Sequence, residues 1–550
     1  MQESQAMRND WWRGAVIYQI YPRSFMDSNG DGIGDLPGIT ARLGHVAALG
    51  ADAIWISPFF RSPMKDFGYD VADYRDVDPI FGTLADFDAL LAEAHRLGLR
   101  IIIDQVLSHT SDQHAWFKES RASRDNPKAD WYVWADAKPD GTPPTNWLSV
   151  FGGSAWQWDS RRRQYYLHSF LTEQPDLNFH CPAVQDALLG EVRFWCERGV
   201  DGFRFDACNH QFHDARLRDN PPAALADIAG VSTVRAENPY AMQRHLYDKS
   251  QPENLAFLER LRALLDGHGA VALGEVGDEN APPVMAQYTE AGRRLHMAYS
   301  FALLTGEHSA THLRGQVQAL EEALDATGGW GCWAVSNHDV PRVATRWSAG
   351  RTADAARDRL WLALLLSLRG SASLYQGEEL GLPEAEVPFE LLQDPYGRAF
   401  WPEFKGRDGA RTPMPWQTDG VHGGFSTGAP WLPMYADHLP LAVDRQSADA
   451  RSMLAYSRAL IHWRRGQPLL RTGAMRFHDA PEPVLHVERN AGDAVLHAVF
   501  NLSPEPQVLP LSAPLSAVGG HPCEGGLSSE DGRTLALAPY GVFFGHPRHP

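Results

Sequence analysis

The segment Gly202-Phe203-Arg204-Phe205-Asp206 is a short apolar run that ends on an acid, and it decides the interpretation of the chain. The same pattern recurs at Gly274-Glu275-Val276 and at Ser336-Asn337-His338-Asp339. A buried strand that ends on a carboxylate presents it at the edge of its sheet, where folds built from parallel strands keep their functional residues. The three segments therefore predict that Asp206, Glu275 and Asp339 lie together at one end of a parallel sheet.

Eight apolar runs along the chain predict eight strands. Continuous runs of this kind suit strands that are buried on both faces of a parallel sheet. Amphipathic helical sequence lies between several of them, as in Leu84–Leu97, and Gly98 follows at the position of a helix C-cap. The pattern predicts an α/β fold, a TIM (β/α)8 barrel whose site lies at the C-terminal ends of its strands. The predicted strands are Ala15–Pro22, Ala51–Pro58, Arg100–Val106, Gly202–Ala207, Val271–Val276, His296–Phe301, Cys332–Asp339 and Ser371–Leu380.

The uneven spacing of these runs predicts additions to the barrel. A long interval rich in Trp, Pro, Gly and Asp predicts an inserted subdomain after the third strand, and further insertions are predicted at 211–247 and 383–438. Near the C-terminus, alternating segments separated by Pro and Gly predict a small antiparallel β-domain. The predicted division is 1–104 and 174–468 for the two parts of the barrel, 105–173 for the inserted subdomain, and 469–550 for a C-terminal β-sandwich domain.

Composition excludes several classes of protein. The chain has 550 residues, 44% of them hydrophobic and 21% charged, with a formal net charge of −18, which argues against nucleic-acid partners and anionic membranes. Five scattered cysteines without CxxC spacing favour neither a disulfide framework nor a zinc site. Since no signal-peptide pattern or run of about 18 apolar residues occurs, a cytoplasmic protein without a membrane span is expected, as a monomer or homodimer.

Paired carboxylates at one sheet edge are the groups that glycoside hydrolysis requires, one as proton donor and one as nucleophile or base. The segments Asp104–His109, Gly202–Asp206, Glu275 and Asn337–Asp339 resemble, in order, the four signature segments of the α-amylase superfamily, glycoside hydrolase family 13. Gln174–Asn178 resembles an additional segment of its α-glucosidase and oligo-1,6-glucosidase branch. The resemblance covers most of the chain and is nearest to bacterial α-glucosidases with glucosyl-transfer activity.

The resemblance implies a role for each acid. Asp206 would be the nucleophile that forms a covalent glucosyl-enzyme, and Glu275 would protonate the leaving oxygen and then activate the acceptor. Asp339 would bind sugar hydroxyls and stabilise the transition state. Arg204 would keep Asp206 ionised, because an adjacent cation lowers the pKa of a carboxylate.

The resemblance also implies a pocket for one glucose. His109 and His338 would hydrogen-bond sugar hydroxyls, Asp66 would bind the non-reducing glucose, and Tyr69 would stack on its ring, while Asp70 would support that loop. An arginine would pair with Asp66 and close the pocket.

The arginine that closes the pocket is expected to be Arg407, with Arg411 as the alternative, so that the enzyme would act on chain ends. Phe151, Phe170 and Phe301 are candidate wall residues, because aromatic faces suit the CH surfaces of sugars, although each could equally belong to the core.

Linkage preference depends on the residue after Asp206. In the resembled family this position tends to be Val in α-1,6 enzymes and smaller or polar in α-1,4 enzymes, and here it is Ala207. The expected function is a retaining exo-acting α-1,4-glucosidase that acts on maltose-like substrates and transfers glucose to alcohol acceptors. An oligo-1,6-glucosidase or another enzyme of small glucans is the alternative, and a non-catalytic transporter subunit is disfavoured because all three acids are present.

A metal loop is the last candidate site. Asp27-Ser28-Asn29-Gly30-Asp31-Gly32-Ile33-Gly34-Asp35 places oxygen ligands at alternate positions, as calcium loops do. By resemblance, the ligands would be Asp27, Asn29, Asp31, the Ile33 carbonyl and Asp35, binding a structural Ca²⁺ or Mg²⁺. No organic cofactor is expected.

Overall fold

The computed structural model describes residues 10–224, 238–348, 350–351 and 354–548. Eight parallel strands form one sheet: β1 Val16–Ile20, β2 Ala53–Ile56, β3 Arg100–Val106, β4 Gly202–Asp206, β5 Val271–Val276, β6 Met297–Ser300, β7 Cys332–Ala334 and β8 Ser371–Tyr375. Their order in the sheet is β6-β5-β4-β3-β2-β1-β8-β7. A bridge between Ala298 and Gly331 links the two outer strands of that order, so the sheet curls into a nearly closed barrel. The predicted barrel fold is confirmed.

Each of the eight strands begins within two residues of its predicted start, but two of them end well before their predicted ends. The runs Cys332–Asp339 and Ser371–Leu380 are wrong in extent, because pairing stops at Ala334 and Tyr375. Beyond β7 the Asn337 side chain accepts a hydrogen bond from the Asp339 amide at 2.8 Å and turns the chain. Beyond β8, Gly377 has a φ of 87°, which glycine adopts without strain, and a short helical turn follows.

Helices cover the outside of the barrel. The helix that follows β2 begins with a capping box between Thr83 and Asp86 and ends at Arg96, with Gly98 in the left-handed region just beyond. The α-helices in the described residues are Leu36–Leu49, Leu84–Arg96, Ala115–Ser120, Pro182–Arg198, Asn254–His268, Ala281–Tyr288, Ala310–Thr327, Val343–Arg346, Ala355–Ser367, Pro395–Ala399, Val443–Ser447, Met453–Arg465 and Pro468–Thr472. None of them is long and apolar enough to cross a membrane.

Two smaller regions extend the barrel. Between β3 and the helix Pro182–Arg198 lies a three-stranded antiparallel sheet made of Trp134–Ala135, Trp156–Asp159 and Gln164–Leu167. The predicted insertion at 211–247 has its middle, 225–237, outside the described residues. The boundaries of the domain division stay predictions.

The C-terminal region consists of two antiparallel sheets, as the sequence predicts. The strands are β9 Ala474–His478, β10 Val484–Ala491, β11 Ala494–Asn501, β12 Gln507–Pro510, β13 Leu515–Ala517, β14 Gly526–Ser528, β15 Thr534–Leu537 and β16 Val542–Pro547. One sheet has the order β9-β10-β11-β16-β13 and the other has the order β12-β15-β14. A small apolar core that includes Val484, Val499, Leu535 and Phe543 fills the space where side chains of both sheets meet.

Candidate active site

The three acids predicted from the strand ends line one pocket of about 150 Å³. Asp206 is the last residue of β4, and Glu275 lies one residue beyond the Phe205–Gly274 pair that joins β4 to β5. Asp339 reaches the same pocket from the turn after β7. The parallel register therefore brings together carboxylates that are separated by more than 60 positions in the sequence.

One buried guanidinium connects the two carboxylates of β4 and β5. Arg204 donates from Nη1 to Asp206 Oδ1 at 2.6 Å and to Asp104 Oδ1 at 2.9 Å. Its Nη2 lies 2.7 Å from Glu275 Oε1 and 2.8 Å from the Tyr299 hydroxyl, which in turn donates to Glu275. Because Arg204 has no exposed surface, water cannot screen these contacts, and the positions of both carboxylates are fixed.

Burial changes the proton affinity of these two acids. Burial raises the pKa of Glu275 to about 7. The Arg204 cation lowers this pKa and the Asp206 charge raises it, but burial has the largest effect. Burial also raises the pKa of Asp206, and the adjacent Arg204 cation opposes that rise. The Ala207 amide donates to Glu275 Oε2 at 3.0 Å and holds the carboxyl in place. The pair can therefore carry one proton near neutral pH, as acid–base chemistry requires.

Asp339 is held as an anion. Its Oδ1 accepts from Arg411 at 3.0 Å and from Arg407 at 3.3 Å, and its Oδ2 lies 3.3 Å from His338 Nε2. Burial alone would raise the pKa of Asp339, but His338 and the two guanidinium groups outweigh that effect and hold it well below its usual range. Tyr69 stacks on the His338 ring at 5.4 Å and places its hydroxyl 2.6 Å from His338 Nε2.

An ion pair between Asp66 and Arg407 forms part of the pocket lining. Arg407 donates from Nη2 to Asp66 Oδ1 at 2.8 Å and is itself held by Asp394, also at 2.8 Å. Arg411 points instead to Asp339 and to the His338 carbonyl. Of the two arginines that the sequence offers, Arg407 is thus the one that contacts Asp66.

A tight turn presents Asp66 and Tyr69 to the pocket. Asp70 accepts hydrogen bonds from the amides of Lys65 and Asp66, which folds the chain back on itself. Gly68 has a φ of 110°, and a Cβ there would lie 2.9 Å from the Pro58 carbonyl oxygen, so the turn requires glycine.

Aromatic side chains form the pocket wall. Phe151 and Phe170 lie 5.9 Å apart between ring centres, and His109 lies 5.1 Å from Phe170. His109 Nε2 is 3.1 Å from the Tyr69 carbonyl oxygen. Phe301, His109, Phe151 and Phe170 all line the pocket, so the three predicted phenylalanines are partly exposed to it rather than enclosed in the core.

Some residues of the site are not among the predicted site residues. Tyr396, which carries no signal in the sequence, packs against Phe151 at 5.2 Å. Gln174 lies 3.4 Å from Asp66, and the sequence indicates it only as part of the segment Gln174–Asn178. Tyr299 could have been inferred, because parallel pairing places it opposite Glu275. The pocket lining also includes Asn209, Tyr240, Lys249, Asp278 and Glu279.

In the predicted metal loop, backbone amides donate hydrogen bonds to the aspartate carboxylates of the same loop. Asp27 accepts from the amides of Asn29, Gly30 and Gly32, and Asp31 accepts from the Ile33 amide. Asp35 caps the helix Leu36–Leu49 through the Gly38 amide. The oxygen donors suit a hard cation such as Ca²⁺.

Comparison with known proteins gives the family. Residues 19–473 match the alpha-amylase catalytic domain. The chain belongs to the alpha-amylase family. It is 56% identical, over 544 residues that span 97% of each protein, to a probable alpha-glucosidase of Rhizobium meliloti (strain 1021). It is 36% identical to an oligo-1,6-glucosidase of Heyndrickxia coagulans over 529 residues, 90% of this chain and 92% of the relative.

Two solved enzyme structures are similar to this chain over nearly its whole length. The alpha-glucosyl transfer enzyme XgtA superposes with a TM-score of 0.95 at 58% identity, covering 98% of this chain and 99% of that one. The trehalulose synthase MutB from Pseudomonas mesoacidophila MX-45 superposes with a TM-score of 0.86 at 32% identity, over 98% of this chain and 99% of that one.

Proposed function

We propose that the protein is a retaining, exo-acting α-1,4-glucosidase that releases glucose from short α-glucosides such as maltose and also transfers glucose to alcohol acceptors. The observation that carries the proposal is the buried Arg204, which holds Asp206 and Glu275 side by side in the pocket. Two carboxylates in this arrangement fit a double-displacement reaction. The relatives described as a probable alpha-glucosidase and an alpha-glucosyl transfer enzyme support it.

The reaction follows in two steps. In the first, the Asp206 carboxylate attacks the anomeric carbon and forms an ester to glucose, while the glycosidic C–O bond breaks and Glu275 gives its proton to the leaving oxygen. In the second, the Glu275 carboxylate takes a proton from water or an alcohol, whose oxygen attacks the anomeric carbon and releases Asp206. Asp339 remains anionic throughout and stabilises the positive charge that develops on the sugar. The reaction needs no organic cofactor.

The proposed exo action rests on one ion pair of the pocket lining. The pair formed by Asp66 and Arg407 lines the pocket, and in the proposed function it would bind the terminal glucose and block a further unit beyond it. The small Ala207 side chain and Tyr240 also line the pocket, and we expect them to border the second sugar or the acceptor. Short α-glucosides and small alcohols are therefore the proposed partners.

The substrate preference is tested by comparing maltose with isomaltose, with products separated by chromatography. We expect kcat/KM for maltose to exceed that for isomaltose by about tenfold or more, a difference of about 1.4 kcal/mol in transition-state binding. Added alcohol acceptors should give glucosyl products early in the time course. A preference for isomaltose would contradict the proposal and support the alternative, an oligo-1,6-glucosidase with the same acids.

We further propose that the loop from Asp27 to Asp35 binds a structural Ca²⁺ or Mg²⁺. The ion would link the loop after β1 to the start of the helix Leu36–Leu49. Cytoplasmic location and a monomeric or homodimeric state stay predictions from the sequence.

Metal add-back tests the loop. After removal of metals with EDTA, addition of Ca²⁺ or Mg²⁺ is expected to raise Tm by about 2–5 °C, because a ligand that binds only the folded state stabilises it. Asp31→Ala should abolish this increase, whereas the exposed Asp125→Ala should leave it intact. An equal response in both variants would exclude the loop as the site.

A further inference from the structure

Three histidines lie against one another in the C-terminal β-domain, far along the chain from every residue of the pocket. His478 pairs with His486 across β9 and β10, and His497 pairs with Glu488 across β10 and β11. Directly paired residues share a face of a sheet, so the three imidazoles meet on one face. One ring nitrogen of each lies within 4.8 Å of those of the other two.

The imidazoles lie close enough together to share one ion. His486 Nε2 lies 2.9 Å from His497 Nδ1, at hydrogen-bond distance, so one of these nitrogens donates its proton to the other, and a metal ion bound by both would take the place of that proton. The His478 ring stacks on His486 with 4.5 Å between ring centres. In the described part of the chain this is the one group of three His, Cys, Asp or Glu donor atoms that converges so closely.

Two of the three imidazoles are buried and the third is accessible. His486 and His497 lie buried in the sheet. Metal binding requires each histidine to present an unprotonated ring nitrogen. His478 is partly exposed, which provides a route for an ion to enter.

We propose that His478, His486 and His497 form a structural binding site for one Zn²⁺ or a similar late transition-metal ion. Three imidazoles suit Zn²⁺, Cu²⁺ and Ni²⁺, whereas hard ions such as Ca²⁺ prefer oxygen ligands. Two nitrogens bound to zinc at 2.0–2.1 Å in a tetrahedral site lie about 3.3 Å apart. The His486–His497 separation needs only a small increase to reach that value.

Neighbouring side chains complete the site. Glu488 places Oε2 2.8 Å from His478 Nε2, and the same oxygen accepts from Arg476 at 2.7 Å. A carboxylate that receives a ring N–H is the usual partner that orients a metal-binding histidine. We therefore assign Glu488 a positioning role, and water takes the fourth position on the metal. The ion would join β9, β10 and β11 next to the small core that contains Val499.

Zinc titration of the full-length, untagged and metal-stripped protein tests the site. Isothermal titration calorimetry is expected to find one zinc ion per chain, with Kd increased about 100-fold or more in His478→Gln, since loss of even an orienting partner costs 10–100-fold. His478 is the informative position because it is partly exposed, so its replacement leaves the fold intact. His546→Gln is the matched control: His546 lies on neighbouring β16 and bonds the Val495 carbonyl instead, and its variant should bind zinc as the wild type does.

A second readout separates the metal site from a general effect on folding. Co²⁺ bound to the wild type should give the intense visible bands of a four-coordinate ion, and these should be absent in His478→Gln. Zinc should raise Tm in the wild type and in Asp31→Ala but not in His478→Gln. Failure of the wild type to bind zinc saturably, or equal binding by His478→Gln, would overturn the proposal without affecting the proposed glucosidase activity.

Discussion

Asp206→Asn is expected to lower kcat for maltose by a factor on the order of 10⁴–10⁶, the largest effect of any single substitution in this protein. The amide cannot form the ester with glucose, and loss of an enzymatic nucleophile has effects of this size. The substitution keeps the shape of the side chain and leaves the oxygen that Arg204 contacts at 2.6 Å. Activity should therefore fall much more than stability.

The control for Asp206→Asn is another buried acid of the same barrel. Asp358 lies in the helix Ala355–Ser367, outside the pocket, and burial raises its pKa to about 7. Asp358→Asn should keep kcat within about threefold of the wild type, and circular dichroism should show both variants folded. Near-wild-type turnover by Asp206→Asn would exclude it as the nucleophile and, with it, the proposed double displacement.

The barrel is predictable from the sequence because its strands are encoded locally. Runs such as Val271–Val276 are apolar on both faces, and the structure gives β5 the same bounds. The extent of β7 and β8 is not encoded in the same way. Pairing stops at Ala334 and Tyr375, and the mostly polar residues that follow turn the chain at Asn337 and Gly377, so the predicted runs extend those two strands too far.

The candidate site is partly predictable for a related reason. Asp206 and Glu275 are visible as acids at the ends of β4 and β5, and Asp339 as the acid that ends the predicted run, although it lies in the turn after β7. The family resemblance indicates Asp66 and Arg407. Side chains that arrive from long insertions have no comparable signal. Tyr396 and Lys249 line the pocket only because of how their loops fold.

The grouping of the three histidines in the C-terminal domain cannot be predicted from the sequence, for another reason. They are eight and eleven residues apart, and they share a face only through the register of β9, β10 and β11. A one-residue slip of one strand would send its histidine to the opposite face. Register is set by the packing of the whole sheet, so this site required the structure.

Two buried arginines hold the charged groups of the pocket in place. Arg204 and Arg407 are each surrounded by carboxylates, and burial makes every one of these contacts stronger than it would be in water. Truncating either arginine would leave its carboxylates as uncompensated buried charges, which costs about 3–5 kcal/mol. The charges are thus fixed before the substrate binds, so little reorganisation is needed as charge develops on the sugar.

Glu275→Gln is expected to lower kcat/KM for maltose by about 10²–10⁴-fold, the contribution of a positioned proton donor. Glutamine cannot protonate the leaving oxygen, although it preserves an acceptor for the Ala207 amide. For α-glucosyl fluoride, whose leaving group needs little protonation, the decrease in the rate of the first step should be smaller than about tenfold. The glucosyl-enzyme should then accumulate, since the second step lacks its base, and added azide should release α-glucosyl azide.

The pH profile provides the independent check of Glu275, and its direction follows from the pKa. Glu275 donates only when protonated, and burial raises its pKa to about 7, so wild-type kcat/KM for maltose should fall as pH rises through that value. Glu275→Gln should lose this alkaline limb. The matched control is Glu378→Gln, a buried acid beside β8 outside the main pocket, which should retain both the limb and the rate. An alkaline limb that persists unchanged in Glu275→Gln would assign the proton donor to another residue, because a side chain that carries no titratable proton cannot produce it.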